Sequence, residues 1–274
     1  YRSAQGYTGN VINVGMTDIY RLAKVILEEI KTMYDTAELT MSRIHFGGDE
    51  VPEGAWLNSP ACRRLPVWNP AWDTEIPEQA REATRALMAY HYQQITEIAE
   101  QVSAGIQTGF WHEMSTAGSS KTNSYYNAWL TSEANTDTID SLLDRGQNLV
   151  ISNASFLYLD MPYAMDPDEP GLPWAAYVNT KSIYNFDPLD CWALTADQSR
   201  QVLGIQAQLW SETVFTTELM DYYTFPRLLA VAERAWNKRP TQDHWPRFRQ
   251  ALVTRELPHI AGLGVKYRPF EVEK

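Results

Sequence analysis

What most restricts the fold of this chain is the order in which two kinds of hydrophobic period follow one another. From Thr17 to Tyr34, Ile19, Leu22, Ala23, Ile26, Ile30 and Met33 recur at helical spacing behind the capping candidates Thr17 and Asp18. Leu39 to Phe46 then alternates weakly, as a strand does, and stops at Gly47-Gly48. A second helix is expected from about Pro77 to Val102, with Ala80, Ala83, Thr84, Leu87, Met88, Ile95, Ile98, Ala99 and Val102 on one face and Pro77 suited to its first turn. Short apolar runs at 106–111, 125–130, 149–154 and 202–210 read as four further strands. A helix over about 137–143 separates the second of these runs from the third, and helices at about 226–236 and 246–252 follow the last.

Strands that alternate with helices pair in parallel, because a parallel connection needs a crossover that a hairpin turn cannot supply. The polar, aromatic and Pro-rich insertions at 51–76, 112–123 and 155–197 all follow strands rather than helices. In a β/α barrel the loops at the carboxyl ends of the strands build the site. The expected fold class is therefore α/β, a (β/α)8 TIM-type barrel, with an open doubly wound sheet as the competing architecture. Five strands are counted where barrel closure takes eight. This chain is thus expected to supply about strands 4 to 8 and their helices, leaving strands 1–3 to another segment.

Composition narrows the function. Basic residues number 23 against 34 acidic ones, a net charge of −11, and they are scattered, so there is no footprint for phosphate backbones or anionic lipid. No stretch approaches the ~20 apolar residues of a membrane helix. Cys62 and Cys191 fit neither a disulfide scaffold nor a C-x-x-C site, which leaves one long-range disulfide open. Nucleotide and acyl-transfer chemistry lack their glycine-rich and G-x-S-x-G markers. The 10 Trp, 15 Tyr and 8 Phe are more telling, because many lie in polar loops where a core would not recruit them. Aromatics in such places point to a binding surface.

The densest chemistry lies in Ile44-His45-Phe46-Gly47-Gly48-Asp49-Glu50, a strand ending in two glycines and two adjacent carboxylates. Adjacent like charges repel, so one proton is held more tightly, and such a pair supplies a general acid near neutral pH. A solvated acidic turn or a helix N-cap is the plainer reading of an Asp-Glu dipeptide alone.

The stretch resembles the H-x-G-G-D-E signature of family 20 glycoside hydrolases, the β-N-acetylhexosaminidases, at all six positions. The likeness runs along the whole chain and is greatest to bacterial chitobiases, as Tyr1-Arg2-Ser3-Ala4-Gln5 and Tyr158-Leu159-Asp160-Met161-Pro162-Tyr163 indicate. The resemblance implies an exo-acting enzyme that removes terminal N-acetylglucosamine with retention of configuration, the choice of gluco or galacto at carbon 4 staying open. Asp49 would orient the 2-acetamido group, and Glu50 would protonate the glycosidic oxygen and then activate water. The substrate's own acetamido oxygen would be the nucleophile and would form an oxazolinium intermediate. Tyr158 would hydrogen-bond that oxygen and Asp160 a sugar hydroxyl. Trp111, Trp129 and Trp210 would wall the site, Trp174 would be the sugar platform, and Glu212 would accept from the hydroxyls at carbons 4 and 6.

Other readings stand beside this one. Trp56, Trp68, Trp72 and Trp192 are expected in the core, and His45 behind the carboxylates as a core histidine. His112 and Glu113 either face the site or sit in a solvated loop. Their His-Glu pair lacks the second histidine of a zinc helix, so neither metal nor cofactor is expected. Two alternatives to the hexosaminidase are a non-catalytic sugar-binding module and a retaining glycosidase using two separated carboxylates, such as Glu50 and Glu212. The family's arginine, aspartate and histidine from its first three strands have no counterpart here. Residues 1–274 are therefore expected to be the C-terminal part of a single catalytic barrel domain, completed by a complementary polypeptide segment. Family analogy places it in the periplasm or outside the cell.

Overall fold

The computed structural model describes residue 9 and residues 11–116, 123–131, 136–237 and 244–270. Tyr1 to Gln5, which carry part of the chitobiase likeness, lie outside them. The chain divides into two units, residues 1–127 with 144–148 and residues 128–143 with 149–274.

The first unit contains helix α1 (Thr17–Thr36), strand β1 (Arg43–His45), helix α2 (Pro77–Val102) and strands β2 (Gln107–Trp111) and β3 (Ser124–Ala128). Both pairings are parallel, with Ile44 opposite Thr108 and Gly109 opposite Tyr125. Leu27, Met41, Ala99 and Ile106 form a buried cluster, with Ile30, Ile44, Phe46, Ile98 and Val102 packed on it. A Leu, Ile or Met side chain contributes about 1.5–3 kcal/mol when fully buried. The buried face of α2 is the expected one, with Tyr92 added to it. That phenol hydrogen-bonds the Ser124 hydroxyl at 2.8 Å, which lets a polar group sit under the strands.

The face of α1 departs from expectation. Leu27 is its buried residue, whereas Leu22, Ile26 and Met33 are exposed by 61%, 50% and 71%. The helix is apolar on two sides, so its period alone could not say which side meets α2.

The second unit contains α3 (Asp137–Asp144), β4 (Asn148–Ile151), α4 (Ala154–Leu157), α5 (Thr180–Asn185), α6 (Ala196–Ser199), β5 (Val202–Ile205), α7 (Thr217–Thr224), α8 (Arg227–Trp236), α9 (Trp245–Ala251) and α10 (Leu257–Gly262). Strands β4 and β5 are parallel, with Ile151 opposite Ile205. Leu252, Leu257 and Phe270 form a core to which Leu229, Trp245, Phe248 and Tyr267 add. The run read as a strand to residue 210 stops at Ile205, and beyond it Gln208 makes a single parallel bridge to Tyr158. Inside the long insertion, α5 and α6 are held by capping boxes, Asn179 with Ser182 and Thr195 with Gln198. Helices of four to six residues are too short to leave a period in the sequence.

Trp56 and Trp192 are buried as expected. Trp68 and Trp72 are not core residues: they are half-buried and pack edge-to-face on each other, centroids 5.5 Å apart. Both cysteines are free. Burial pushes the Cys191 thiol up to about 12, so it is not a thiolate at neutral pH.

Candidate active site

In the first unit the site begins where β1 ends. The Phe46 N–H donates to the Gly109 carbonyl at 2.9 Å and the Trp111 N–H to the Gly47 carbonyl at 3.0 Å, which stitches the turn to β2. Gly47 and Gly48 have φ of +72° and +91°, and Glu50 itself lies at +49°. A non-glycine residue there costs of order 1 kcal/mol and is held by its surroundings. A Cβ on Gly48 would sit 2.3 Å from the Met114 Cγ. Strain and overlap together predict that Gly48→Ala destabilises the complete protein by about 2–3 kcal/mol. An unchanged melting temperature would contradict this.

The two carboxylates are held in favour of their protonated forms. Glu50 is raised by desolvation, then by the charge of Asp49 and then by that of Glu113. Asp49 is raised by desolvation against the opposing effect of its own backbone amide, with Glu113 adding to the rise. Glu113 was left open by the sequence, and it proves to be half-buried beside this pair rather than solvated. His112, buried, places Nδ1 3.0 Å from a Glu113 carboxylate oxygen. The signal available in the sequence was position: Trp111-His112-Glu113 directly follows the strand that neighbours β1.

His45 lies behind the turn. Its Nδ1 accepts from the Gly47 N–H at 3.1 Å, which assigns the proton of the neutral ring to Nε2. Burial lowers its pKa, so it stays neutral. Trp111 is buried edge-on to His45 at 5.3 Å, a supporting wall rather than an exposed platform.

The second unit gathers the remaining candidates. Tyr158 is buried, with Trp174 and Trp210 each 5.8 Å away at 74° and 65°, and Trp129 meets Trp174 at 6.0 Å and 78°. Four rings packed edge-to-face expose both ring edges and π faces, the surfaces that suit an acetamido methyl and a pyranose face. Trp174 is the exposed member, at 55%. The Leu159 N–H donates to the Gln208 carbonyl at 2.7 Å and the Gln208 N–H to the Leu157 carbonyl at 3.0 Å, so the segments carrying Tyr158 and Trp210 run side by side. Asp160 is buried and accepts from the Trp210 N–H at 3.3 Å. Desolvation raises its pKa, hydrogen bonds from its own and the Trp210 amides oppose the rise, and exposed Glu212 adds to it. Gly171 lets the Trp174 loop lie on this segment, since a Cβ there would be 2.6 Å from the Asp160 carbonyl.

Asp49, Glu50 and Trp111 thus belong to the first unit, and Trp129, Tyr158, Asp160, Trp174, Trp210 and Glu212 to the second. Among the described residues no cluster of three or more His, Cys, Asp or Glu could hold a metal ion.

A β/α chain with a desolvated carboxylate pair at one strand end, and an aromatic box beside a buried aspartate at another, has the working parts of a glycoside hydrolase. The catalytic domain of glycosyl hydrolase family 20 matches residues 1–239. The chain belongs to that family, whose fold is the TIM-type barrel. A β-hexosaminidase of Vibrio vulnificus is 26% identical over 98% of this chain and 37% of its own length. An N,N'-diacetylchitobiase of Vibrio harveyi is 25% identical over 94% and 36%. The solved exo-β-N-acetylglucosaminidase of Vibrio harveyi in complex with N-acetylglucosamine matches with a TM-score of 0.75 and 29% identity, covering 98% of this chain and 38% of that one. This chain therefore spans less than two-fifths of the length of these relatives.

Proposed function

We propose that the complete enzyme is an exo-β-N-acetylhexosaminidase that releases terminal N-acetylglucosamine from chitooligosaccharides or glycoconjugates by retaining, substrate-assisted catalysis. The observation that carries the reading is Glu50, a half-buried carboxyl beyond the end of β1 whose pKa is raised by desolvation and by the charges of Asp49 and Glu113. Glu50 protonates the glycosidic oxygen as the bond to the anomeric carbon breaks. The acetamido oxygen attacks that carbon from the opposite face, and the positive charge passes to the oxazolinium ring. Asp49 accepts from the acetamido N–H and compensates that charge. Water, deprotonated by Glu50, then opens the ring with net retention.

Tyr158 donates its hydroxyl to the acetamido oxygen, and Asp160 holds a sugar hydroxyl. Trp111, Trp129 and Trp210 confine the acetamido group, Trp174 stacks on the sugar, and Glu212 accepts from the hydroxyls at carbons 4 and 6. The test is Tyr158→Phe in the complete enzyme. A donor that acts mainly as the acetamido oxygen attacks is worth ~3 kcal/mol, so turnover of an aryl β-N-acetylglucosaminide should fall by about two orders of magnitude with KM little changed. An unchanged turnover number contradicts the role.

The same proposal makes this chain the C-terminal part of the barrel domain and includes a complementary polypeptide segment carrying strands 1–3. Two observations support it. Among the described residues β1 pairs with β2 alone, and α1 leaves Leu22, Val25, Ile26 and Met33 exposed by 50% or more. A periplasmic or secreted location belongs to the reading by family analogy. No helix among the described residues is long and apolar enough to cross a membrane.

A further inference from the structure

Arg227 is the largest fully buried side chain of the described residues, and it opens α8. A guanidinium stays charged at any physiological pH, so its burial is tolerated only where its donors are met. They are met by main-chain carbonyls. Nε and Nη2 donate to the Tyr223 carbonyl at 2.9 and 2.6 Å. Nη1 donates to the Met161 and Val178 carbonyls at 2.7 and 2.9 Å, and Nη2 also to the Leu159 carbonyl. Leu159, which directly follows Tyr158, and Met161 flank Asp160 on either side. Val178 ends the loop that carries Trp174, its N–H donating to the Pro162 carbonyl at 2.9 Å.

A second layer holds the guanidinium itself. It lies 3.7 Å from the centroid of the Tyr163 ring, and the Tyr163 hydroxyl donates to the carbonyls of Tyr222 and Phe225 at 3.1 and 3.2 Å, just ahead of α8. The charge of Arg227 also favours the ionised form of Asp160. Packing α8 would not by itself call for such a group, since an apolar side chain fills a buried volume without desolvating a charge. What an apolar residue cannot do is hold three carbonyls from two different segments in one planar fork.

We propose that Arg227 is a positioning residue of the active site, clamping the carbonyls on both sides of Asp160 and the end of the Trp174 loop so that the Tyr158 hydroxyl keeps its place. The inference rests on the hexosaminidase reading, in which Tyr158 acts on the acetamido oxygen. Lysine keeps the charge but presents one compact ammonium, so Arg227→Lys loosens the clamp.

The test is a double-mutant cycle in the complete enzyme, with kcat and KM measured on an aryl β-N-acetylglucosaminide. With Tyr158 present, Arg227→Lys should lower kcat about tenfold or more with KM moving less than about threefold; in the Tyr158→Phe background it should cost less than about threefold further. Unchanged kcat, or the same loss in both backgrounds, overturns the inference, because a merely structural arginine acts alike whether or not Tyr158 has its hydroxyl. Should Arg227→Lys not fold, Tyr163→Phe is read in the same cycle. It keeps the ring under the guanidinium but releases it from the Tyr222 and Phe225 carbonyls. A loss that disappears in the Tyr158→Phe background supports the clamp, while an equal loss in both, or none, overturns it. Failure of the parent reading looks different: Tyr158→Phe alone would then leave kcat intact.

Discussion

In the complete enzyme, Glu50→Gln is expected to lower turnover of chitooligosaccharides by about 10²- to 10⁴-fold, the range that a positioned general acid supplies. The leaving sugar alkoxide needs a proton as its bond breaks, and an amide has no acidic proton to give. The pH profile follows from the same carboxyl. Its pKa lies above the ordinary value, with desolvation as the first cause and the charges of Asp49 and Glu113 next, so activity is lost on the alkaline side as Glu50 ionises. Glu113→Gln removes one of those charges and should move that limb to lower pH. A limb that stays in place would show that Glu113 does not act on Glu50.

Stability carries the opposite sign. A carboxyl whose folded pKa is raised above its unfolded one imposes a cost that is absent below the unfolded value, about 4.3, and grows as pH rises through the folded value. Glu50→Gln should therefore melt higher than the parent at pH 7, with the difference closing near pH 4. An inactive variant that melted lower at pH 7 would indicate lost structure rather than lost chemistry.

The second large effect concerns the chain itself. Residues 1–274 expressed alone are expected to give neither a cooperative melt nor hexosaminidase turnover. Beyond its pairing with β2, the backbone of β1 has no strand partner among the described residues, and its exposed to half-buried residues leave an open edge that a further strand would cover. Leu22, Val25, Ile26 and Met33 add exposed apolar surface that would contribute about 1.5–3 kcal/mol per side chain if covered. Together these terms rival the ~5–15 kcal/mol by which whole domains are stable. Co-expression with a segment carrying strands 1–3 should restore a cooperative transition. A soluble, active monomer of these residues alone would contradict the proposed barrel division.

Long, regular elements were legible in the sequence. Helix α2 runs from Pro77 to Val102 as its period predicts, and all five strands begin within about four residues of their predicted starts. The helical period works on α2 because one of its faces is buried, whereas β2 and β3 are buried along nearly their whole length and so read as short apolar runs. The helical period failed on α1, where apolar residues on two faces hid the fact that Leu27 rather than Leu22 or Ile26 meets the core. The motif turn was legible because two glycines and two carboxylates at a strand end are locally unusual. Arg227 was not, because charge reads as surface until its carbonyl partners, drawn from Leu159, Met161 and Val178, are brought to it by tertiary structure. Glu113 stayed open between the site and a solvated loop for a related reason: a single carboxylate after a strand gains meaning only from the neighbouring strand's Asp49 and Glu50.

Substrate assistance is tested most directly by inhibition of the complete enzyme with the thiazoline analogue of N-acetylglucosamine, whose fused ring reproduces the oxazolinium shape. An acetamido-assisted enzyme should bind this mimic of a reaction intermediate at least about 100-fold more tightly than N-acetylglucosamine itself, as analogues of strained reaction states do, and Asp49→Asn should remove most of that advantage. Inhibition no stronger than by N-acetylglucosamine would contradict the mechanism and return Glu50 to service with a separate carboxylate nucleophile.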